Sequence, residues 1–250
     1  MMNYKSPKLR SVDKTFPPFP LNHFPSEFAV KLGRELIYLL ASKGKPILEG
    51  NEWEAMFAIA IGAQWKPSNI GLDDVVLGNT AWGAKSVKAK TPSKATKVRL
   101  ISGRNSPVYS YGDTIDTSAD PNVVGPSVLN IWNERVSSVR ERFANIRTVV
   151  LVKSDDLTEV VVFELDTIRY DPELFTWKWN KGNNLEGYEK STFKHKFTWQ
   201  PHGSQFTIVE DIPEMSLVIN IKQPNLLDKE EVLKTLGVVD KEWIKVTKKV

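Results

Sequence analysis

Two adjacent carboxylates, Asp73 and Asp74, stand immediately before a short apolar run, Val75-Val76-Leu77, and a Gly78-Asn79 turn. A second extended segment, Ala81 to Lys90, then carries Lys85, Lys88 and Lys90. No acidic residue follows Asp74 until Asp113, and that gap holds Lys85, Lys88, Lys90, Lys94, Lys97, Arg99 and Arg104. The whole chain carries a net charge of only +4, so this basicity is local and the remainder is net negative. Paired carboxylates beside a local run of cations point to phosphodiester chemistry near a metal ion. Mg2+ takes one or two carboxylates plus phosphate oxygens and waters, so a sparse acidic site suits it. On a hairpin, cross-strand neighbours lie roughly 5 Å apart, which lets a carboxylate opening one strand meet a lysine on the next. The metal would polarise the phosphorus and activate water, while the lysine oriented that water or stabilised charge on the phosphoryl oxygens.

These residues resemble the PD-(D/E)xK nuclease motif, above all as type II restriction endonucleases carry it. In that family an aspartate precedes, by roughly a dozen residues, an acid-x-Lys triplet on the following strand. The resemblance implies Asp74 as the first metal ligand, with Asp73 beside it, and Ser86-Val87-Lys88 as the triplet, with Lys88 as the catalytic lysine. The chain departs from the pattern at Ser86, where a Glu or Asp is expected. The other register, Gly83-Ala84-Lys85, lacks the acid too and keeps Lys85 as a second candidate. A helix before the first catalytic strand often contributes a glutamate in this family, which makes Glu54 the first choice for the missing carboxylate and Glu134 the reserve. DNA-backbone or base contacts fall to Lys90, Lys94, Lys97, Arg99, Arg104 and Asn105, and to Lys178 and Lys181 in an aromatic-rich segment.

The elements that must hold these groups are legible from periodicity. Phe28, Leu32, Leu36, Leu39 and Leu40 recur at helical spacing after Pro25-Ser26, with Ser26 as the expected N-cap and Gly44 as the stop. A second helix from about Asn51 is apolar nearly all round, hence central, with Glu52 and Glu54 in its first turn favoured by the helix dipole. Lys97 to Ser102 reads as a third core strand, Gly103 to Ala119 as a long polar loop with Asp113 and Asp116, and Val124 to Phe143 as a helix whose charged face, Arg135 included, meets solvent. Thr148 to Lys153 and Val160 to Ile168 are buried strands joined by a Ser154-Asp155-Asp156 turn. Phe175 to Trp199 alternates aromatics with lysines, as a half-buried sheet or a base-stacking surface would. His195 and His202, with no cysteine in the chain, do not make a zinc site.

A chain of 250 residues suits one large domain. The expected division is a proline- and phenylalanine-rich arm over residues 1–25, packed on its own body or on a partner, and a single nuclease domain over 26–250. Within it the core spans about 26–168 and a strand-rich elaboration about 169–250. The absence of cysteine removes disulfides and thiol catalysis and fits a reducing compartment. No apolar run approaches the ~20 residues of a membrane span, and no signal peptide or glycine-rich phosphate loop is visible, so neither membrane nor nucleotide cofactor is expected. The fold expected is α/β, a restriction-endonuclease-like core with a mixed central sheet flanked by helices and a strand-rich C-terminal elaboration. The resemblance implies a Mg2+-dependent, sequence-specific endonuclease on double-stranded DNA, part of prokaryotic cytoplasmic restriction-modification, acting as a homodimer. A non-catalytic nucleic-acid-binding protein and a repair or structure-specific nuclease of the same core are the alternatives.

Overall fold

A computed structural model describes residues 15–68, 70–112 and 119–248. Asp113, Asp116 and the first part of the proline-rich arm, residues 1–14, lie outside them. In chain order the helices and strands begin with α1 (Phe28–Lys43), α2 (Gly50–Ile61), β1 (Gln64–Trp65), β2 (Val75–Leu77), β3 (Thr80–Lys88) and β4 (Lys97–Arg104). Next come α3 (Pro107–Tyr111), α4 (Pro121–Arg140), β5 (Asn145–Lys153), β6 (Glu159–Asp166), β7 (Phe175–Trp179) and β8 (Leu185–Glu189). The chain closes with β9 (His195–Gln200), β10 (Gln205–Asp211), β11 (Leu217–Asn220), α5 (Lys229–Thr235) and α6 (Asp240–Trp243). The strands form two sheets, one ordered β1-β2-β3-β5-β6-β11 and the other β4-β10-β9-β8-β7. The fold is thus mixed α/β.

The first sheet is built on β5, whose continuous apolar run is buried on both faces, the pattern of a central strand with layers on either side. Val149 and Leu151 face α1 and α2, together with Trp82, Val160 and Val162. Val150 and Val152 point the other way and pack with Val98 and Leu100 of β4. Successive side chains of a strand point to opposite faces, so one strand feeds both cores. β3 runs parallel to β5, with Lys85 opposite Val150 and Lys88 opposite Lys153. A parallel pair needs a crossover, and β4, α3 and α4 make up the chain between them.

β4 does not extend the first sheet. It pairs with β10 in the second, because its strict alternation leaves Val98, Leu100 and Ser102 buried and Lys97, Arg99 and Ile101 exposed. Conversely β11, near the C-terminal end, returns to pair with β6 at the edge of the first sheet. The aromatic strands of the second sheet turn their rings onto α4. Gly125 makes the contact possible, since a Cβ there would lie 2.1 Å from the Trp177 ring. Phe197, buried in the same cluster, stacks on Trp177 with ring centroids 5.7 Å apart. The half-buried-sheet reading of this segment holds.

Of the arm, the described part packs on its own body. Phe19 is buried in the first core. Asn22 binds Glu164 of β6 at three points, its N–H and side-chain amide donating to Glu164 and its Oδ1 accepting from the Glu164 N–H. α1 begins at Phe28 with Glu27 as N-cap and not at the expected Ser26, because the Phe28 N–H closes a turn onto the Pro25 carbonyl first. No helix of the described residues is long and apolar enough to cross a membrane.

Candidate functional site

The antiparallel pairing of β2 with β3 sets Val75 opposite Trp82, which brings Asp74 to the level of Gly83 and Ala84. Asp74 is buried, 3% exposed, and its Oδ2 accepts from the Ala84 N–H at 3.4 Å. Burial raises its pKa from 3.8 to about 6; Lys85 pulls it down, Glu54 pushes it up, and backbone N–H bonds from Ala84 and Ser68 lower it again. The Lys85 ammonium donates to the Gly71 carbonyl at 3.3 Å. Desolvation holds this lysine below its ordinary range, against the attraction of Asp74 and Glu54 and with the repulsion of Arg135. Asp74, Lys85 and Glu54 therefore act on one another electrostatically although they come from three segments of chain.

The register places Lys85, and not Lys88, on the side of Asp74. Positions 85 and 88 differ by an odd number, so on one strand their side chains leave opposite faces. Lys88 is exposed and pairs with Asp155 at 3.2 Å, across the turn that follows β5. Lys88, the first choice, and with it the Ser86-Val87-Lys88 triplet, thus stands apart from Asp74. In the Lys85 register the family's acid position is Gly83, and its backbone fits tightly there: a Cβ would lie 2.7 Å from the Gly71 carbonyl oxygen.

Glu54 arrives from α2. Its Oε2 accepts from the Trp65 indole N–H at 3.1 Å, which fixes the carboxylate at the β1 end of the sheet. Glu52, two residues earlier, is spent on the helix start: it accepts from the Glu49 N–H in a capping box and pairs with Lys43. Asp73, expected as a further metal ligand, turns away to pair with Arg142 at 2.9 Å, and its Oδ1 is buried without a hydrogen-bond partner. Glu134 sits by Tyr111, whose hydroxyl feels its charge, and Asp74 is coupled to Glu54 instead. Among the described residues no group of three or more acids or histidines gathers as a metal-binding cluster.

The expected DNA contacts divide into exposed and buried groups. Lys90, Lys94, Arg104, Lys178 and Lys181 are exposed. Lys178 lies over the Tyr188 ring at 4.3 Å. Lys97 and Arg99 project from the solvent side of β4, where Lys97 pairs with Asp211 at 3.6 Å and Arg99 donates to the Thr198 hydroxyl at 3.0 Å. These two sit on the second sheet, off the hairpin that carries Asp74. Asn105 is not a surface contact: it is fully buried, its amide donates to the Val128 carbonyl, and its own carbonyl accepts from Trp199.

Two features escaped the sequence. Arg135 does not face solvent; its guanidinium bonds the carbonyls of Ile70 and Ser102, tying the loop before Asp74 to β4. Its only signal was its place beside Ile131 and Trp132, at the margin of the apolar face of α4. The second is a buried ion pair, Arg147 with Glu164 at 3.1 Å, to which Trp82 also donates at 2.6 Å. Glu164 lay hidden in a strand read only as an apolar run, and Arg147 fell just before the expected start of β5 at Thr148.

No family model matches the chain, and neither does any curated protein or solved structure.

Proposed function

We propose that the protein is a Mg2+-dependent endonuclease of double-stranded DNA with a restriction-endonuclease-like core, cutting at a short specific sequence. The observation that carries the reading is the convergence of Asp74, Lys85 and Glu54 at the β2–β3 hairpin, with Asp74 desolvated and raised to about 6. A carboxyl raised by burial beside a lysine lowered by it, in a site reached by several elements, is a mark of chemistry more than of packing. The order of helix, hairpin, helix and parallel strand supports the core assignment.

The donor set suits magnesium. Asp74 and Glu54 offer hard carboxylate oxygens in a sparse arrangement, and Asp74 carries a burial cost that its protein neighbours leave uncompensated. When bound there, the ion supplies charge stabilisation at the phosphoryl group and an activated water. Asp74 must be ionised to serve, so binding strengthens as pH rises through about 6. Lys85, lowered by desolvation against the attraction of Asp74 and Glu54, donates to the phosphoryl oxygen on which negative charge grows. Arg135 is spent on backbone carbonyls and acts as a positioning residue that keeps Ile70 to Asp74 against β4. The exposed Lys90, Lys94 and Arg104 hold backbone phosphates.

The absence of an acid at Gly83 favours a second reading, a nucleic-acid-binding protein without catalysis. A cleavage assay on long duplex DNA with and without Mg2+ separates the readings. Discrete fragments support the site-specific enzyme, a smear a non-specific nuclease of the same core, and intact DNA a binder. In the first two cases Asp74→Ala abolishes cutting and keeps duplex binding. The reading includes a two-fold homodimer, since a symmetric duplex site is most simply read by two identical subunits. Sedimentation that finds one subunit per cognate duplex at saturation removes that part. A prokaryotic cytoplasm is the corresponding location.

A further inference from the structure

Beside Asp74 and Lys85 opens a cleft of about 530 Å³ that the cleavage reading leaves unused. One wall is a single face of α4, where Ile131, Glu134, Arg135 and Ser138 recur at helical spacing. The other is α3, which presents Tyr109 and Tyr111. Ile70 joins the two walls, and its carbonyl accepts from Arg135 while the next carbonyl, Gly71, accepts from Lys85. The cleft and the candidate site are thus neighbours along a two-residue stretch of backbone.

Its lining is specific. The Tyr111 hydroxyl donates to the Ser127 carbonyl at 3.0 Å, which fixes that ring. Tyr109 is 90% exposed, a large aromatic face with nothing packed on it. Glu134 is exposed on the cleft wall, an acceptor with no protein donor at hydrogen-bond distance among the described residues. A second anion is disfavoured beside that carboxylate, and a purely apolar ligand would strand it in a dry site. A flat heterocycle bearing an amino group satisfies both the rings and the acceptor. The volume lies in the range of small-molecule sites.

We infer that this cleft takes an unstacked nucleobase of the strand whose phosphate lies at Asp74 and Lys85, with Tyr109 stacking on it and Glu134 accepting from an exocyclic amino group of cytosine or adenine. The inference rests on the phosphodiester reading for the strand but not for the base. Aromatic side chains stack on any base, and a carboxylate accepts from the cytosine amino group. Leaving the duplex costs the base its stacking and pairing, which the cleft offsets.

The test titrates the intact protein with dCMP, dAMP and dTMP by NMR, beside Tyr109→Ala and Glu134→Ala, and measures Mg2+-dependent duplex cleavage by the same proteins. Both substituted side chains are exposed, so the fold survives, as unchanged melting would verify. Expected are tighter binding of dCMP and dAMP than of dTMP, and about tenfold weakening of all three by Tyr109→Ala. Glu134→Ala, which removes the acceptor, should bring dCMP and dAMP down to the level of dTMP. No saturable nucleotide binding, or binding indifferent to both substitutions, overturns the base site, even if the protein cuts DNA. Nucleotide binding with the expected pattern in a protein that leaves DNA intact overturns the nuclease reading and keeps the base site.

Discussion

Replacing Asp74 by Asn should make the protein more stable, and the size of the gain follows from the site. Burial raises the Asp74 carboxyl from 3.8 to about 6, net of the attraction of Lys85 and the two backbone N–H bonds. The sign runs against the usual acid. Below about pH 3.8 the group is protonated in both folded and unfolded chains and contributes nothing. Between there and about 6 the folded protein keeps a proton the unfolded chain has released, so stability falls as pH rises; above about 6 the penalty is constant. At about 1.4 kcal/mol per tenfold, the penalty has a ceiling of about 3 kcal/mol. An amide is neutral at every pH, but its N–H group meets the donors of Ala84 and Ser68, so a gain of about 1.5–3 kcal/mol at pH 8 is expected. For a chain of this size each kcal/mol moves Tm by about 2–4 °C. Thermal melts of both proteins from pH 3.5 to pH 8 read this directly: the curves should coincide at the acid end and separate through the range up to about 6. Added Mg2+ should then raise Tm of the wild type and leave Asp74→Asn unmoved, since ligand linkage acts only where the ion binds. An Asn variant less stable than wild type at pH 8, or a difference that does not grow with pH, would refute the idea of a carboxylate retained at the expense of stability.

Lys85→Met should retain duplex binding and lose cleavage, while Lys88→Ala should cut at the wild-type rate and shift stability by no more than about 0.5 kcal/mol, because its pair with Asp155 is exposed; activity that follows Lys88 instead restores the other register. Gly83→Ala should destabilise by about 1–3 kcal/mol in denaturant titrations, since the new Cβ meets the Gly71 carbonyl at 2.7 Å. Gly83→Asp, which restores the family's acid on paper, should therefore fail to cut, and an active Gly83→Asp would show that this backbone yields easily. Glu164→Ala leaves Arg147 buried without its partner and releases Asn22, so it should cost about 3–5 kcal/mol and open the segment from Thr15 to Pro25 to protease; unaltered proteolysis would separate the arm from that ion pair.

The sequence by itself determined the local elements and the pieces of the site. The apolar run from Ala55 to Gly62 marked α2 as a core helix, although it covers one face of the first sheet and leaves Ile59 exposed; the Gly78-Asn79 turn made the β2–β3 hairpin, and the Val-rich runs made β5 and β6, because period and turn chemistry are written within a few residues. Asp74 at a strand start and Glu54 in a helix's first turn were readable as candidates in the same way, and the structure brings Glu54 within electrostatic reach of Asp74. The tertiary structure decided which lysine joins them. Lys85 and Lys88 are equivalent as composition, and only the pairing of Val75 with Trp82 and the alternation of β3 put Lys85 on the side of Asp74. It also decided that β4 leaves the first sheet for β10, and that Arg135 points inward to two carbonyls. Periodicity tells a residue which face is buried; it does not tell it against what. Partners that lie 65 residues apart, as Arg135 and Ile70 do, are chosen by how whole layers pack, and that choice is made by the sum of many contacts that no short stretch of sequence contains.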